Sequence, residues 1–571
     1  MLHDAASGRW LRFTRPCRVV AAGSLDQVAG ALAEVQRAAA SGMYAAGFLS
    51  YEAAPAFDSA LVTRAPDDFP LLWFTIFRSA EPMSLPAPGK GLAALSWTPS
   101  VSRAAYDAAI LRIKDHIAAG DTYQVNYTFR LRSRFTSVPW ELFLHLARAR
   151  QAPYAAYMDT GRFVLCSASP ELFFTLSGNR LVSVPMKGTA PRGRTLEEDS
   201  LQARNLRRCP KNRAENVMIA DMVRNDISRV AETGTVRVPR LFAVTRYPTL
   251  WQMTTTVEAQ TSHPASEIMA ALFPCASITG APKYETARII ARLEDSCRRV
   301  YTGCMGFFRP GGDCQFNVAI RTAIVDRERA EAEYGVGGGI VWDSTAPSEY
   351  DECAVKARVL TNARQEFSLL ETLLWTKEDG FFLLDQHIRR LKSSAAYFGR
   401  RVKKSAVIAA LEQKAACFRG PAFRVRLLVS ERGEIRLEDT PLSGQPQGPV
   451  RLALAREPLD SSHVFLFHKT TLRGVYENAR QAAPQADDVI LYNEKRQITE
   501  TTTANLVFEK NGKRYTPPVC CGLLAGTYRA HLLEKGQIEE KVIPLESVKK
   551  WDAIYCINSV RKQRKAVLAE I

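Results

Sequence analysis

"ELFFTLSGNRLVSVPMKG", residues 171–188, alternates apolar with small polar side chains on either side of Ser177-Gly178-Asn179. Alternation marks a strand with one buried face, and glycine and asparagine tolerate the positive φ angles of a tight turn. The stretch therefore reads as a β-hairpin excursion. Glu171 leads into it, and Lys187 stands sixteen residues later at its end. If the two ends share a cavity, loss of water lowers the proton affinity of the amine and raises that of the carboxylate. Such a pair is a candidate nucleophile and general acid. Spacing alone favours the plainer reading, a cross-strand salt bridge, so the rest of the chain has to decide.

Around this hairpin, further short strands mix with helical stretches such as "YDAAILRIKDHIAAG" (106–120) and "ENVMIADMVRNDISRV" (215–230). Their apolar residues recur every three to four positions. This predicts a large α+β core. Near "EYDECAVKARVLTNARQEF" (349–367) the charged helical pattern ends, and strand-like residues resume from Phe367. We place the boundary there, giving domains 1–365 and 366–571. In the second, Asn511-Gly512 between strand-like runs predicts a type I′ hairpin, and "LLAGTYRAHLLEKG" (523–536) opens a helix.

At 571 residues the chain exceeds what one hydrophobic core usually serves. Lys+Arg number 76 against 59 Asp+Glu, but the cations are scattered and broken by "LEEDS" and "EYDE", so no nucleic-acid partner is expected. Small anionic substrates would need only a few of them. The twelve cysteines form no CxxC pair, which argues against a disulfide framework or structural zinc. No run of about 18 apolar residues and no secretory pattern occurs. A soluble cytoplasmic protein without membrane contact is expected.

Two further helices carry acids. Glu215 lies in one, and the spacing of Glu349, Glu352 and Lys356 puts all three on one helix face. Three inward carboxylates suit Mg²⁺, with positions left for a substrate carboxylate and water. A solvated helix with an i,i+4 Glu-Lys pair explains the same spacing. "GVGGG" (335–339) offers backbone N–H groups to an anion, yet no helix follows with dinucleotide spacing. A Gly-rich strand crossing is the alternative.

In order, "GDTYQVNYTFRLRSRF" (120–135), "SPELFF" (169–174), "PMKGTAPRG" (185–193), "AENVMIADMVRNDISRV" (214–230), "ASITGAPK" (276–283), "FNVAIRTA" (316–323) and "GVGGGIVWDSTAPSEYDECAVKA" (335–357) resemble the chorismate-utilising enzymes. The resemblance implies two large layered sheets with flanking helices, chorismate as substrate and Mg²⁺ as cofactor. Lys187 selects the branch: it resembles aminodeoxychorismate synthase component I, whereas anthranilate synthases have a small residue there. By that resemblance Lys187 attacks the chorismate ring, Glu171 protonates the departing 4-hydroxyl, and ammonia then displaces the lysine. Gln124 stands where water-using relatives carry a basic lysine, which again points to ammonia. Glu215 and Glu352 would bind Mg²⁺ with Glu349 in support. Arg321, Lys356, Thr279 and the amides of Gly337 and Gly338 would hold the substrate. Gln252 and Asn212 depart from the pattern, replacing a histidine and an acid of many relatives. No glutaminase signature is visible, so a separate glutamine amidotransferase subunit is the implied ammonia source.

The second half holds another lysine, Lys469 in "FLFHKTTLRGVY" (465–476), followed by Glu500 and by Gly526-Thr527 opening a helix. A helix N-terminus suits a phosphate. An amine, a carboxylate for a pyridinium nitrogen and a phosphate cup are what pyridoxal phosphate needs. "DQHIRRL" (385–391), "FHKTT" (467–471), "ITETTTANL" (498–506) and "LLAGTYR" (523–529) resemble the fold-type IV pyridoxal-phosphate enzymes, a smaller α/β domain. The resemblance implies that Lys469 bonds the cofactor aldehyde and later moves a proton, and that Glu500 keeps the pyridine nitrogen protonated. It gives the phosphate to Arg390, Thr527 and Ser559. It leaves open an oligomer formed through this domain. The group contains aminotransferases and 4-amino-4-deoxychorismate lyases, which motifs do not separate. Fusion to a synthase points to the lyase, which releases pyruvate and leaves 4-aminobenzoate for folate biosynthesis. An amino-acid aminotransferase or a non-catalytic docking domain are the rivals.

Overall fold

Leu172–Ser177 and Arg180–Val184 pair antiparallel, Leu172 opposite Val184 and Ser177 opposite Arg180. Gly178 turns between them at φ +56°, so the expected hairpin forms. Lys187 lies beyond it, on the next strand, Met186–Pro191, which pairs with Leu250–Gln260. The pairing slips register between Met186 and Thr189. A bulge of this kind re-aims a side chain out of the regular ladder. Gly188 has φ +94°, and a Cβ there would lie 3.1 Å from Asn212 Oδ1, so the bulge needs glycine for both conformation and space.

The computed structural model describes residues 1–86, 95–150, 152–360, 365–442, 444 and 448–569. The chain forms two compact units, residues 1–191 with 203–364, and residues 192–202 with 365–571. No helix among the described residues is long and apolar enough to cross a membrane.

The first unit holds two ten-stranded sheets. One contains the hairpin beside Cys314–Val318 and Cys304–Phe308; the other contains Gln124–Arg134, Glu331–Ile340, Thr322–Asp326 and Phe163–Ser167. Strand alternation distributes their apolar residues to two places. Leu165 and Ile324 of one sheet meet Phe48, Met305 and Phe307 of the other between the sheets. Val164, Ala323 and Val325 face outward onto Tyr106, Ile110 and Phe143 of flanking helices. Ser102 caps one of these helices, Arg103–Ala118, its hydroxyl accepting from Ala105 N–H at 3.2 Å. The strand Glu331–Ile340 pairs with Gln124–Arg134 along its whole length, but with Thr322–Asp326 only over residues 331–334. Its glycine-rich half is therefore laddered on one side only.

The second unit has a four-stranded sheet built around Leu369–Thr376 and Ala422–Val429, and an eight-stranded sheet. Helices Leu384–Phe398 and Lys404–Ala415 bury Leu391, Val407 and Leu411 against Leu373, Val425 and Leu427. Asn511 and Gly512 take φ +50° and +75°, with Lys510 opposite Lys513, the predicted tight hairpin.

Candidate functional site

Glu171 is 3% exposed. Its Oε1 accepts from Ser277 Oγ–H at 2.7 Å and from Met186 N–H at 3.3 Å. Burial pushes its carboxyl up to about 7, against the pull of those two donors and of the Lys187 and Arg321 charges. Lys187 is half-buried. Loss of water lowers its proton affinity, which the Glu215 carboxylate partly restores and the Lys356 charge lowers further. Among the described residues no ion pair joins Lys187 to Glu171 or to any other acid, so a salt bridge does not account for the pair. The main chain is what is fixed. Asn216 Nδ2–H donates to the Lys187 carbonyl at 3.1 Å, and Gln252 Nε2–H donates to the Gly188 carbonyl at 3.0 Å. Gln252, a departure from the family pattern, thus serves as a clamp. Ser277 and Asn216 carry no mark in the sequence beyond standing inside quoted motifs.

Gln124 is fully buried, and neither atom of its carboxamide has a hydrogen-bond partner. An orphaned buried amide is costly, and such an atom fits a ligand that supplies the missing bonds. A Cβ placed on Gly339 would lie 2.0 Å from Gln124 Nε2 and 2.3 Å from Lys187 Nζ. The amide and the amine therefore project over the same bare patch of strand. Gly339→Ala is expected to displace both side-chain ends and to cut the activity of the first unit strongly. Turnover equal to the wild type would show that this patch is not where substrate lies.

The carboxylates behave differently from the expected metal cage. Glu352 Oε1 pairs with Lys356 Nζ at 2.8 Å, and Lys356 also donates to the Gly337 carbonyl at 2.7 Å. Glu349 accepts from Ser344 Oγ–H at 2.7 Å, and a Cβ on Gly338 would lie 3.1 Å from its Oε2. The structure thus gathers Gly337, Gly338, Glu349, Glu352 and Lys356. Among the described residues, however, no group of three or more metal-ligating side chains converges. In this arrangement an ammonium holds one oxygen of Glu352 and a hydroxyl one oxygen of Glu349, so Glu215, Glu349 and Glu352 are not drawn together as the expected cage. Thr279 donates its hydroxyl proton to the Cys275 carbonyl at 3.0 Å, leaving only lone pairs for a ligand. Arg321 takes a left-handed backbone, φ +52°, and its charge acts on Glu171.

In the second unit one cavity of about 510 Å³ is lined by Lys469, Glu500, Arg390, Thr527 and Ser559 together. Glu500 accepts from Tyr476 O–H at 2.8 Å, Leu524 N–H at 3.2 Å and Asn505 Nδ2–H at 3.1 Å. Burial still pushes its carboxyl up to about 7. Lys469 is brought down to about 8 by burial and by the Arg390 and Arg473 charges, with Glu371 and Glu500 pulling the other way. Arg390 is clamped. Its Nε and Nη2 donate to Glu371 at 2.9 and 2.6 Å, and Nη1 donates to the Ala525 carbonyl at 3.1 Å. Burial raises the Glu371 carboxyl, but Arg390 and His387 outweigh it and hold it at about 2. His387 Nδ1–H donates to Glu371 at 2.7 Å, and its Nε2 meets Thr527 Oγ1 at 3.3 Å. One buried chain thus sets both Arg390 and Thr527. Glu371, lying in an apolar strand pattern, escaped the sequence reading. The Ser559 hydroxyl donates to the Thr372 carbonyl at 3.2 Å. Gly526 is required before Thr527, since a Cβ would lie 2.0 Å from Asn505 Oδ1. An amine, an acid and a helix start facing one cavity fit pyridoxal phosphate.

Comparison with known proteins bears on both units. Residues 5–362 match the chorismate binding enzyme family, and residues 368–567 match amino-transferase class IV. The aminodeoxychorismate synthase of Streptomyces griseus is 41% identical over 250 residues, covering 43% of this chain and 34% of that protein. Anthranilate synthase component 1 of Thermus thermophilus is 39% identical over 264 residues, covering 46% of this chain and 57% of that one. The chain thus spans between about a third and three-fifths of these curated relatives. The crystal structure of anthranilate synthase component I from Streptococcus pneumoniae shares the fold, with a TM-score of 0.56 and 23% identity, over 62% of this chain and 92% of that chain. With layered sheets in the first unit and a lysine-bearing cavity in the second, the chain belongs to the chorismate binding enzyme family and carries an amino-transferase class IV domain, of fold-type IV, after it.

Proposed function

We propose that residues 1–365 convert chorismate and ammonia to 4-amino-4-deoxychorismate, and that residues 366–571 remove pyruvate from that product to leave 4-aminobenzoate for folate biosynthesis. The observation that carries this reading is a lysine set into each unit's site: Lys187 over bare Gly339 beside the unpartnered Gln124 amide, and Lys469 in one cavity with Glu500, Arg390, Thr527 and Ser559; burial lowers the proton affinity of both amines. Lys187 is the nucleophile toward the ring, its peptide held by Asn216 and Gln252. Glu171 delivers the proton to the departing 4-hydroxyl. Gln124, with both amide atoms unused, orients substrate or the incoming ammonia. Arg321, Lys356 and the amides of the glycine-rich strand would hold the substrate carboxylates, and Thr279, its proton given to Cys275, would accept from a substrate hydroxyl. A glutamine amidotransferase subunit supplies the ammonia. Glu215 and Glu352, supported by Glu349, would be the donors for Mg²⁺; no group of three ligating side chains converges among the described residues, and no step is routed through the metal.

In the second unit Lys469 removes the proton at the amine-bearing carbon, and Glu500, which lines the same cavity, would hold the cofactor's ring nitrogen. Arg390, Thr527 and Ser559 would bind its phosphate. Pyridoxal phosphate, when bound, supplies an electron sink for the charge that develops at that carbon. The class IV amino-transferase match keeps one second reading, an amino-acid aminotransferase.

A coupled assay with chorismate, ammonia, Mg²⁺ and pyridoxal phosphate tests the whole: 4-aminobenzoate and pyruvate should appear together. Accumulation of aminodeoxychorismate alone would remove the lyase, and no consumption of chorismate would remove the synthase. Acidity gives a separate handle. Glu171 must enter protonated, so the synthase rate should fall as pH rises through about 7. Ser277 donates to this carboxylate and favours its ionised form. Ser277→Ala should therefore move that fall to higher pH in the kcat/KM profile, and an unmoved midpoint would discharge Glu171 as the acid.

A further inference from the structure

The cavity around Lys469 carries more positive charge than a cofactor phosphate requires. One wall is the face of the four-stranded sheet on which Thr372 lies opposite Arg426, and Leu374 opposite Arg424. Alternation sends Phe423, Val425 and Leu427 into the core and leaves Arg424 and Arg426 on the cavity side. Arg561, just beyond the strand Ala553–Asn558, joins them.

These guanidiniums are held very differently from Arg390. Arg390 has three of its five N–H donors taken by Glu371 and the Ala525 carbonyl, which fixes it as part of the frame and leaves two for the cofactor phosphate. Arg426 is paired with Glu438 at 2.9 Å. Arg424 gives a single hydrogen bond, to Thr440 Oγ1 at 3.3 Å, and Arg561 gives one, to the Gly444 carbonyl at 2.8 Å. Neither has an ion pair among the described residues. Among the described residues Glu500 is the one acid that lines the cavity, and it is buried behind Tyr476 and Asn505. Two forked donors with open valences on one wall match two carboxylates, and a monocarboxylate would leave one of them without a counter-charge.

We propose that Arg424 and Arg561 form an anion subsite that selects an amine bearing two carboxylates. This deepens the reading of the second unit and rests on it for the amine chemistry at Lys469. Glutamate and aminodeoxychorismate share the chemistry, and the assay separates them.

The test uses the full chain loaded with pyridoxal phosphate, as wild type, Arg424→Gln, Arg561→Gln and Arg424→Lys. Pyruvate release from supplied aminodeoxychorismate gives KM and kcat, and calorimetry gives the affinity for isophthalate against benzoate. Each glutamine variant should raise KM about tenfold or more with kcat within about twofold, as expected for a lost charge-assisted contact. Isophthalate should bind the wild type about tenfold tighter than benzoate, lose that advantage in the glutamine variants and keep it in Arg424→Lys. Equal affinity for the two probes, or KM unchanged in both glutamine variants, would overturn the subsite. Absence of pyruvate with the isophthalate preference intact would sink the lyase and keep the subsite; amino transfer from glutamate to a keto acid would then name the substrate.

Discussion

Lys187→Ala is expected to lower the rate of aminodeoxychorismate formation by about a hundredfold or more, the range in which a lost nucleophile or proton carrier falls. The geometry gives the size of the effect. The amine projects over Gly339 with Gln124 beside it and has no ion pair among the described residues, so it has no structural bond to lose. Removing it should leave the melting temperature within a few degrees of the wild type, because no buried partner is left unpaired. Loss of rate together with intact stability is the signature of a chemical role. Turnover like the wild type in that variant, measured with ammonia in place of any amidotransferase, would refute the covalent assignment.

Lys469→Ala should reduce pyruvate release by about a thousandfold or more and remove the visible absorbance of bound cofactor, while synthase turnover is retained. With its proton affinity brought down to about 8, roughly one Lys469 in ten is neutral at pH 7, against a few in ten thousand for an ordinary lysine. The neutral amine is the form that bonds an aldehyde. Loading of apoprotein with pyridoxal phosphate should therefore speed up as pH rises and level off above about 8. Loading independent of pH between 6 and 9, or full absorbance in the alanine variant, would show that another group binds the aldehyde.

Some of this was legible in the chain. The hairpin at 172–184 follows from alternation around Ser177-Gly178-Asn179, and the turn at 511–512 from an Asn-Gly pair. These are local preferences, decided within a few residues. The amines and their acids could be nominated by residue type, and the motif order indicated the family. Other parts were not legible. Lys187 does not lie across the hairpin from Glu171 as expected but on a third strand, at a bulge. Glu371 sits in an apolar strand, and only the return of helix Leu384–Phe398 brings His387 and Arg390 onto it.

By itself the sequence determined the strand and helix periods, the two hairpin turns and the two lysines worth testing, because each depends on neighbours a few positions away. Tertiary structure alone decided which groups are held and which are open. Ser277 reaches Glu171 across more than a hundred residues; Asn216 and Gln252 clamp the Lys187 bulge; Lys356 occupies Glu352. Hydrogen bonds and desolvation between segments remote in the chain depend on packing, and no local period encodes that.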